Sequence, residues 1–185
     1  MSKLKHKEYL NDFKRQENGQ YVYEGAFYAW NGDRKKSLLR LWLIGLGMMA
    51  SAVAGGCIPA AGMDNTFYVI IPFMLEVIFA ASVLWALVRL TAAGDPMRGY
   101  LYEGTVEKLK PRSWFVLVTA ALGVIAVTVF LCLHGFGGKI FWTIIYYLLK
   151  GTNIVLAVYL QKSVDSLSFT RDNYTKNENK QKNDE

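Results

Sequence analysis

The sequence is poor in the residues that usually carry catalysis. Two cysteines, Cys57 and Cys132, and two histidines, His6 and His134, are spread over 185 residues. A structural zinc site takes four ligands at short spacings, so these are too scattered for one, and the block from Cys132 to His134 lacks further partners. No CxxC pair is present, which argues against a thiol–disulfide oxidoreductase. HExxH, GxSxG and the Walker A pattern are also missing, leaving the common hydrolase and nucleotide-binding chemistries without an anchor. Gly135-Phe136-Gly137-Gly138-Lys139 is glycine-rich like a phosphate loop, but it falls in a tight turn between two apolar runs. Neither metal nor cofactor is expected.

Charge is missing from long stretches. Segments 38–58, 67–90, 114–133 and 140–160 are each about 20 residues or slightly longer and almost free of ionisable groups. At about 1.5 Å of rise per residue, each spans a hydrocarbon core of about 30 Å as a helix. The expected fold is all-α and integral to the lipid bilayer, with four transmembrane helices. The first run follows a charged stretch, too late for a cleavable signal peptide. Ser2 stands where myristoylation needs glycine, and no C-terminal cysteine motif is present.

Basic residues are missing from one side only. Segment 59–66 has no Lys or Arg and 134–139 has only Lys139, whereas Lys35, Lys36, Arg40, Arg89, Arg98, Lys108, Arg112 and Lys162 flank the other ends of the runs. By the positive-inside rule both termini and the middle loop are cytoplasmic. The net charge of +6 is thereby topological. No base-stacking platform accompanies it, so nucleic acid is not expected as a partner. Small size, scarce cysteine and lack of sorting signals suggest a prokaryotic plasma membrane.

One phrase occurs twice: YVYEG at 21–25 and YLYEG at 100–104. Shifted by about 75 residues, the halves align through the membrane, with Cys57 on Cys132, Phe67 on Trp142 and Glu76 beside Lys150. A unit holding two spans enters the membrane the same way each time, so the expected repeat is parallel, about an axis along the membrane normal. The chain then divides into an N-terminal segment 1–19, a first repeat 20–94, a second repeat 95–164 and a tail 165–185. His6, Tyr9, Leu10 and Phe13 have the spacing of a short amphipathic helix. Segment 20–30, rich in aromatics between two Asn-Gly pairs, reads as a strand, and 99–109 is similar enough to expect a second. Together they predict a small cytoplasmic β element, serving either as a lid or as a docking edge. Pro111 is expected just before the third span. The tail has few large apolar groups and is expected to be disordered.

Two ionisable residues lie deep in the apolar runs. Glu76 is about ten residues into the second run and Lys150 about eleven into the fourth, which puts both near mid-bilayer. Each lone charge there costs roughly 2.5–3.5 kcal/mol or more, and an ion pair is the simplest remedy. Thr143, Tyr146, Tyr147, Asn153 and Gln161 share helical spacing with Lys150 and give the fourth run a polar stripe. Pro72 sits one turn from Glu76 and frees a backbone carbonyl above it. The pair reads as an assembly lock, a contact to another subunit, or a coupling site for transport. Gly47, Ser51 and Gly55 form a small-residue face that suits close helix packing, within the chain or in a dimer. Cys57 and Cys132, at equivalent places near the outer ends of two spans, are either a disulfide or two buried small side chains.

The expected function is a non-enzymatic subunit or scaffold of a membrane complex, with a membrane-protein partner or self-association. The alternative is a small transporter or channel component that uses Glu76 and Lys150.

Overall fold

The computed structural model describes residues 13–15, 21–23 and 25–172. Four helices dominate it: α1 (Arg34–Cys57), α2 (Phe67–Ala92), α3 (Gly99–His134) and α4 (Ile140–Asp165). All four are long and apolar enough to cross a membrane. Short strands accompany them: β1 (Phe13–Arg15), β2 (Tyr21–Tyr23), β3 (Phe27–Trp30), β4 (Met97–Arg98) and β5 (Phe169–Asp172).

Local chemistry sets the helix ends. Asp33 caps α1, its carboxylate accepting from the Lys36 backbone N–H at 3.2 Å. That contact holds the Asp33 carboxyl below its ordinary value of 3.8. At the C-terminus of α2 the Arg34 guanidinium donates to the carbonyls of Thr91 (3.2 Å) and Ala93. This cation completes a helix end whose carbonyls lack intrahelical partners. Trp42 Nε1 donates to Thr91 Oγ1 at 2.9 Å, tying α1 to α2 at the same level. The turn from α3 to α4 runs through Gly135, Gly137 and Gly138, all at positive φ.

The helices pack as a ring in the order α1–α2–α3–α4–α1, so α1 faces α3 and α2 faces α4 across the centre. Leu41, Met48, Val83, Leu87, Leu90, Leu109, Val116 and Leu160 fill the core, all at most 1% exposed. A smaller cluster of Ala60, Val69, Val127 and Tyr146 closes the far end. The outer surface is apolar, with Leu43, Ile78, Ile125, Leu148 and Val155 among its exposed side chains. A contiguous apolar exterior over four such helices suits a hydrocarbon solvent.

At the other end of the bundle a three-stranded sheet, β4-β3-β5, gathers the start of α1, the end of α2, the start of α3 and the end of α4. Both neighbours run antiparallel to β3, with Phe27 opposite Arg98 and Asp172, and Trp30 opposite Phe169. Tyr28 stacks on Tyr102 at 4.1 Å, and Phe169 packs against both Trp30 and Tyr102. A separate two-stranded sheet pairs β1 with β2.

Several expectations are corrected here. Residues 99–109 are not a strand but the first turns of α3, which runs unbroken through Pro111. Val106, Leu109, Ser113 and Val116 are buried at helical spacing, and that continuity outweighs the strand-like composition. Pro111 therefore lies inside a helix rather than at its start. Of the two arrangements expected for the YxYEG segments, pairing with each other or folding back locally, the first copy takes the second: Tyr21–Tyr23 pairs with Phe13–Arg15. The expected strand over 20–30 is split into β2 and β3 by a bend at Gly25. The tail is ordered through Asp172, because β5 finds a partner in β3, while 173–185 lie outside the described residues. The amphipathic helix expected near the N-terminus also falls outside them, except for Phe13, which stands in β1.

Candidate functional site

Midway along the bundle α2 and α4 place a charge each on their facing sides. Glu76 is wholly buried and Lys150 is 1% exposed. Lys150 Nζ donates to Glu76 Oε2, and Asn153 Nδ2 donates to Glu76 Oε1. Both carboxylate oxygens are thereby engaged from one helix. Lys150 and Asn153 are three residues apart in α4, so both side chains fall on the same face.

All four helices contribute to the ammonium's surroundings. Its nitrogen lies 4.9 Å from the Tyr146 ring centroid and 5.4 Å from that of Phe73. These rings offer their negative faces to the cation. On α1, a β-carbon added at Gly55 would stand 3.7 Å from Lys150 Nζ. On α3, one added at Gly123 would stand 3.1 Å from Tyr146 Oη and 3.5 Å from Lys150 Cε. The lysine passes between two glycines: a β-carbon at Gly55 would make ordinary contact with it, whereas one at Gly123 would press on the Tyr146 hydroxyl. Breaking such a pair from one side typically costs about 3–5 kcal/mol, because the remaining charge keeps its desolvation penalty.

The remaining candidates fall around this centre. Thr143, 1% exposed, donates to the Lys139 carbonyl at 2.9 Å and accepts from the Ala61 N–H at 3.3 Å, closing the end away from the sheet. Tyr147 turns outward and hydrogen-bonds Thr128 at 2.9 Å, so it does not join the pair. Gly47, Ser51 and Gly55 all face α4. Ser51 Oγ donates to the Leu149 carbonyl at 2.8 Å, and a β-carbon at Gly47 would stand 3.2 Å from Leu156. This small-residue face is used inside the chain. Cys57 and Cys132 are both free and both exposed, which overturns the disulfide and the buried alternative alike.

Sequence reasoning did not anticipate Phe73, Gly123 or the Asn153–Glu76 bond. Asn153 carried a signal, since it lies one helical turn from Lys150 on a stripe already recognised. Gly123 carried none, being one small residue in an apolar run.

Tyr146 Oη and Asn153 Oδ1 are buried beside the pair and make no hydrogen bond among the described residues. Two cavities lie at the bundle's ends. One, of about 300 Å³, is lined by Tyr102, Val106, Lys110, Asp165 and Phe169. The other, of about 150 Å³, is lined by Asp64, Phe130, His134 and Lys139. Neither is lined by Glu76 or Lys150. Among the described residues no group of three or more His, Cys, Asp or Glu side chains is placed to hold a metal ion.

No family model, curated protein or solved structure matches this chain.

Proposed function

We propose that this four-span protein is a non-enzymatic subunit or scaffold of a membrane complex, with the Glu76–Lys150 pair as the lock that sets its helix packing. The observation that carries this reading is the closure of the pair. Both charges are at most 1% exposed, both carboxylate oxygens are bonded, and neither end cavity reaches them. A transported substrate needs a route to its coupling charges, whereas a lock needs water kept out. In this reading the protein lies in a prokaryotic plasma membrane. The sheet and both termini are cytoplasmic, as the positions of Lys and Arg favour. The chain is an internal duplication, with the α1–α2 hairpin equivalent to the α3–α4 hairpin about an axis along the membrane normal. The diagonal placement of Glu76 and Lys150 supports this, since the alignment of the halves sets them one residue apart.

Purification in mild detergent followed by mass spectrometry tests the subunit reading. A membrane protein should co-purify at fixed stoichiometry, or the chain should run as a defined self-assembly. A monomer with no partner overturns it. Cysteine scanning with an impermeant thiol reagent should label the exposed positions Pro59, Asp64 and Asn65 from outside and leave 95–98 unlabelled.

A transport role is the second reading, and Tyr146 Oη and Asn153 Oδ1 favour it. They leave hydrogen-bonding capacity beside the pair that a pure lock does not use. Flux in proteoliposomes that Glu76→Gln abolishes while the protein stays folded would decide for transport.

A further inference from the structure

Arg89 and Arg112 occupy the sheet end of the groove between α2 and α3, and they cross it in opposite directions. Arg112 Nη1, from α3, donates to the Ser82 carbonyl on α2 at 2.6 Å. Arg89, from α2, places Nη2 3.7 Å from where a β-carbon at Gly104 on α3 would stand. Each guanidinium group thus reaches across the α2–α3 groove to the opposite helix. Among the described residues neither has a carboxylate partner. The ion pairs there are Asp33–Lys36, Asp165–Lys110, Asp64–Lys139 and Glu76–Lys150.

Two like charges in one groove repel, and an anion joining them removes that cost. The planar guanidinium fork matches the oxygens of a phosphate, and a pair of forks can hold one from two sides. The level in the membrane fits as well. Trp85, one turn from Arg89, is 62% exposed, and Trp114, two residues from Arg112, is 54% exposed. Tryptophan collects at the headgroup level of a bilayer. Farther from the sheet the groove is apolar, with Phe79 stacked on Phe115 at 5.0 Å and Ile78 exposed on the adjacent surface. A basic mouth above an apolar floor is the shape of a phospholipid site.

We propose that Arg89 and Arg112 bind the phosphate of an anionic phospholipid, with an acyl chain lying along Phe79 and Phe115. A zwitterionic lipid also carries phosphate, but its ammonium offsets the charge that two arginines select. The proposal rests on the membrane placement of the four helices and is independent of the subunit role.

Native mass spectrometry of the full chain in detergent tests it, with phosphatidylglycerol, phosphatidylcholine of the same acyl chains, and inorganic phosphate as probes. Wild type should retain one phosphatidylglycerol about tenfold more tightly than phosphatidylcholine, and inorganic phosphate should neither bind nor compete. Arg89→Gln/Arg112→Gln should lose the preference. Lys35→Gln/Arg40→Gln removes the same charge elsewhere on the sheet end and should keep it. Arg89 donates no side-chain hydrogen bond among the described residues, so Arg89→Gln alone should fold normally and show a weakened preference, which covers the case of an unstable double variant. Equal retention of both lipids by wild type overturns the site. Loss of preference in the Lys35/Arg40 control reduces it to bulk charge. Binding of inorganic phosphate alone makes it an anion site rather than a lipid one. None of these outcomes alters which proteins co-purify, so the lipid proposal and the subunit reading fail separately.

Discussion

The phrase YxYEG is written twice and folded twice, differently each time. In the first copy Tyr21–Tyr23 is a strand that turns at Gly25 toward β3. In the second copy Tyr100–Gly104 is helix, the opening of α3. The copies nevertheless meet. Tyr23 packs edge-on against Tyr100 at 6.0 Å, and its hydroxyl accepts from the Gly99 N–H at 3.1 Å while donating to the Ala26 carbonyl at 3.3 Å. Local sequence is nearly equal in both, so the difference comes from the residues downstream. The second copy runs directly into a span and extends its helix. The first is cut from α1 by Asn31-Gly32, where Gly32 has φ of 118°. Context decides between strand and helix for aromatic-rich segments whose intrinsic preferences differ little.

Deeper in the bundle the halves are joined by unlike residues, Glu76 from the first and Lys150 from the second. Breaking that join should give the largest effect. Glu76→Gln and Lys150→Met should each destabilise by about 3–5 kcal/mol, and the double variant should recover much of the loss. Thermal unfolding of all four proteins in detergent measures the coupling, and additive effects would show that the charges do not depend on each other.

The next prediction sets helix against strand in the second copy. Glu103 is exposed within α3, and Glu103→Pro should cost about 3 kcal/mol through a lost hydrogen bond and ring clash. Gly104→Ala should do the reverse and stabilise by about 1 kcal/mol, since a β-carbon there meets Arg89 only at an ordinary 3.7 Å. If Gly104→Ala destabilises as much as Glu103→Pro, the second copy is not helical. Melting temperature in detergent is sufficient for both.

Tyr23→Phe isolates the contact between the copies. It removes the hydroxyl but keeps the ring, and Gly99 N–H still donates to Ala26 O at 2.8 Å. A loss of about 0.5–1.5 kcal/mol is expected in the same melting assay. The smallest effect belongs to Asp33, which is fully exposed at the start of α1. Its carboxyl is lower in the folded state than its ordinary 3.8, so its contribution is complete above that pH. It is lost as pH falls through the folded value. Asp33→Asn, which keeps a capping oxygen without the charge, should flatten that acid dependence when melting is followed between about pH 2 and 6.

The spans were readable because crossing hydrocarbon imposes length and low charge, and both show in a single sequence. The Glu76–Lys150 depth match was readable for the same reason, since helical rise converts position into height. The sheet end was not. Tyr100, Tyr102 and Val106 favour strands by composition, and only the buried spacing of Val106, Leu109, Ser113 and Val116 reveals the helix. β5 was harder still. Phe169 stands in a polar tail, and its pairing with Trp30 is settled by a contact between residues 139 apart in the chain. Exposed Cys57 and Cys132 show the limit of symmetry reasoning, because equivalent positions need not approach one another.

At 36 residues α3 is about 54 Å long, well beyond the roughly 30 Å of a hydrocarbon core. The surplus is taken up by its first turns, where Tyr102 stacks on Tyr28 and packs against Phe169. The same turns bury Val106 and Leu109 in the core shared with α1, α2 and α4, so the part of α3 too long for hydrocarbon is what seats the sheet on the bundle.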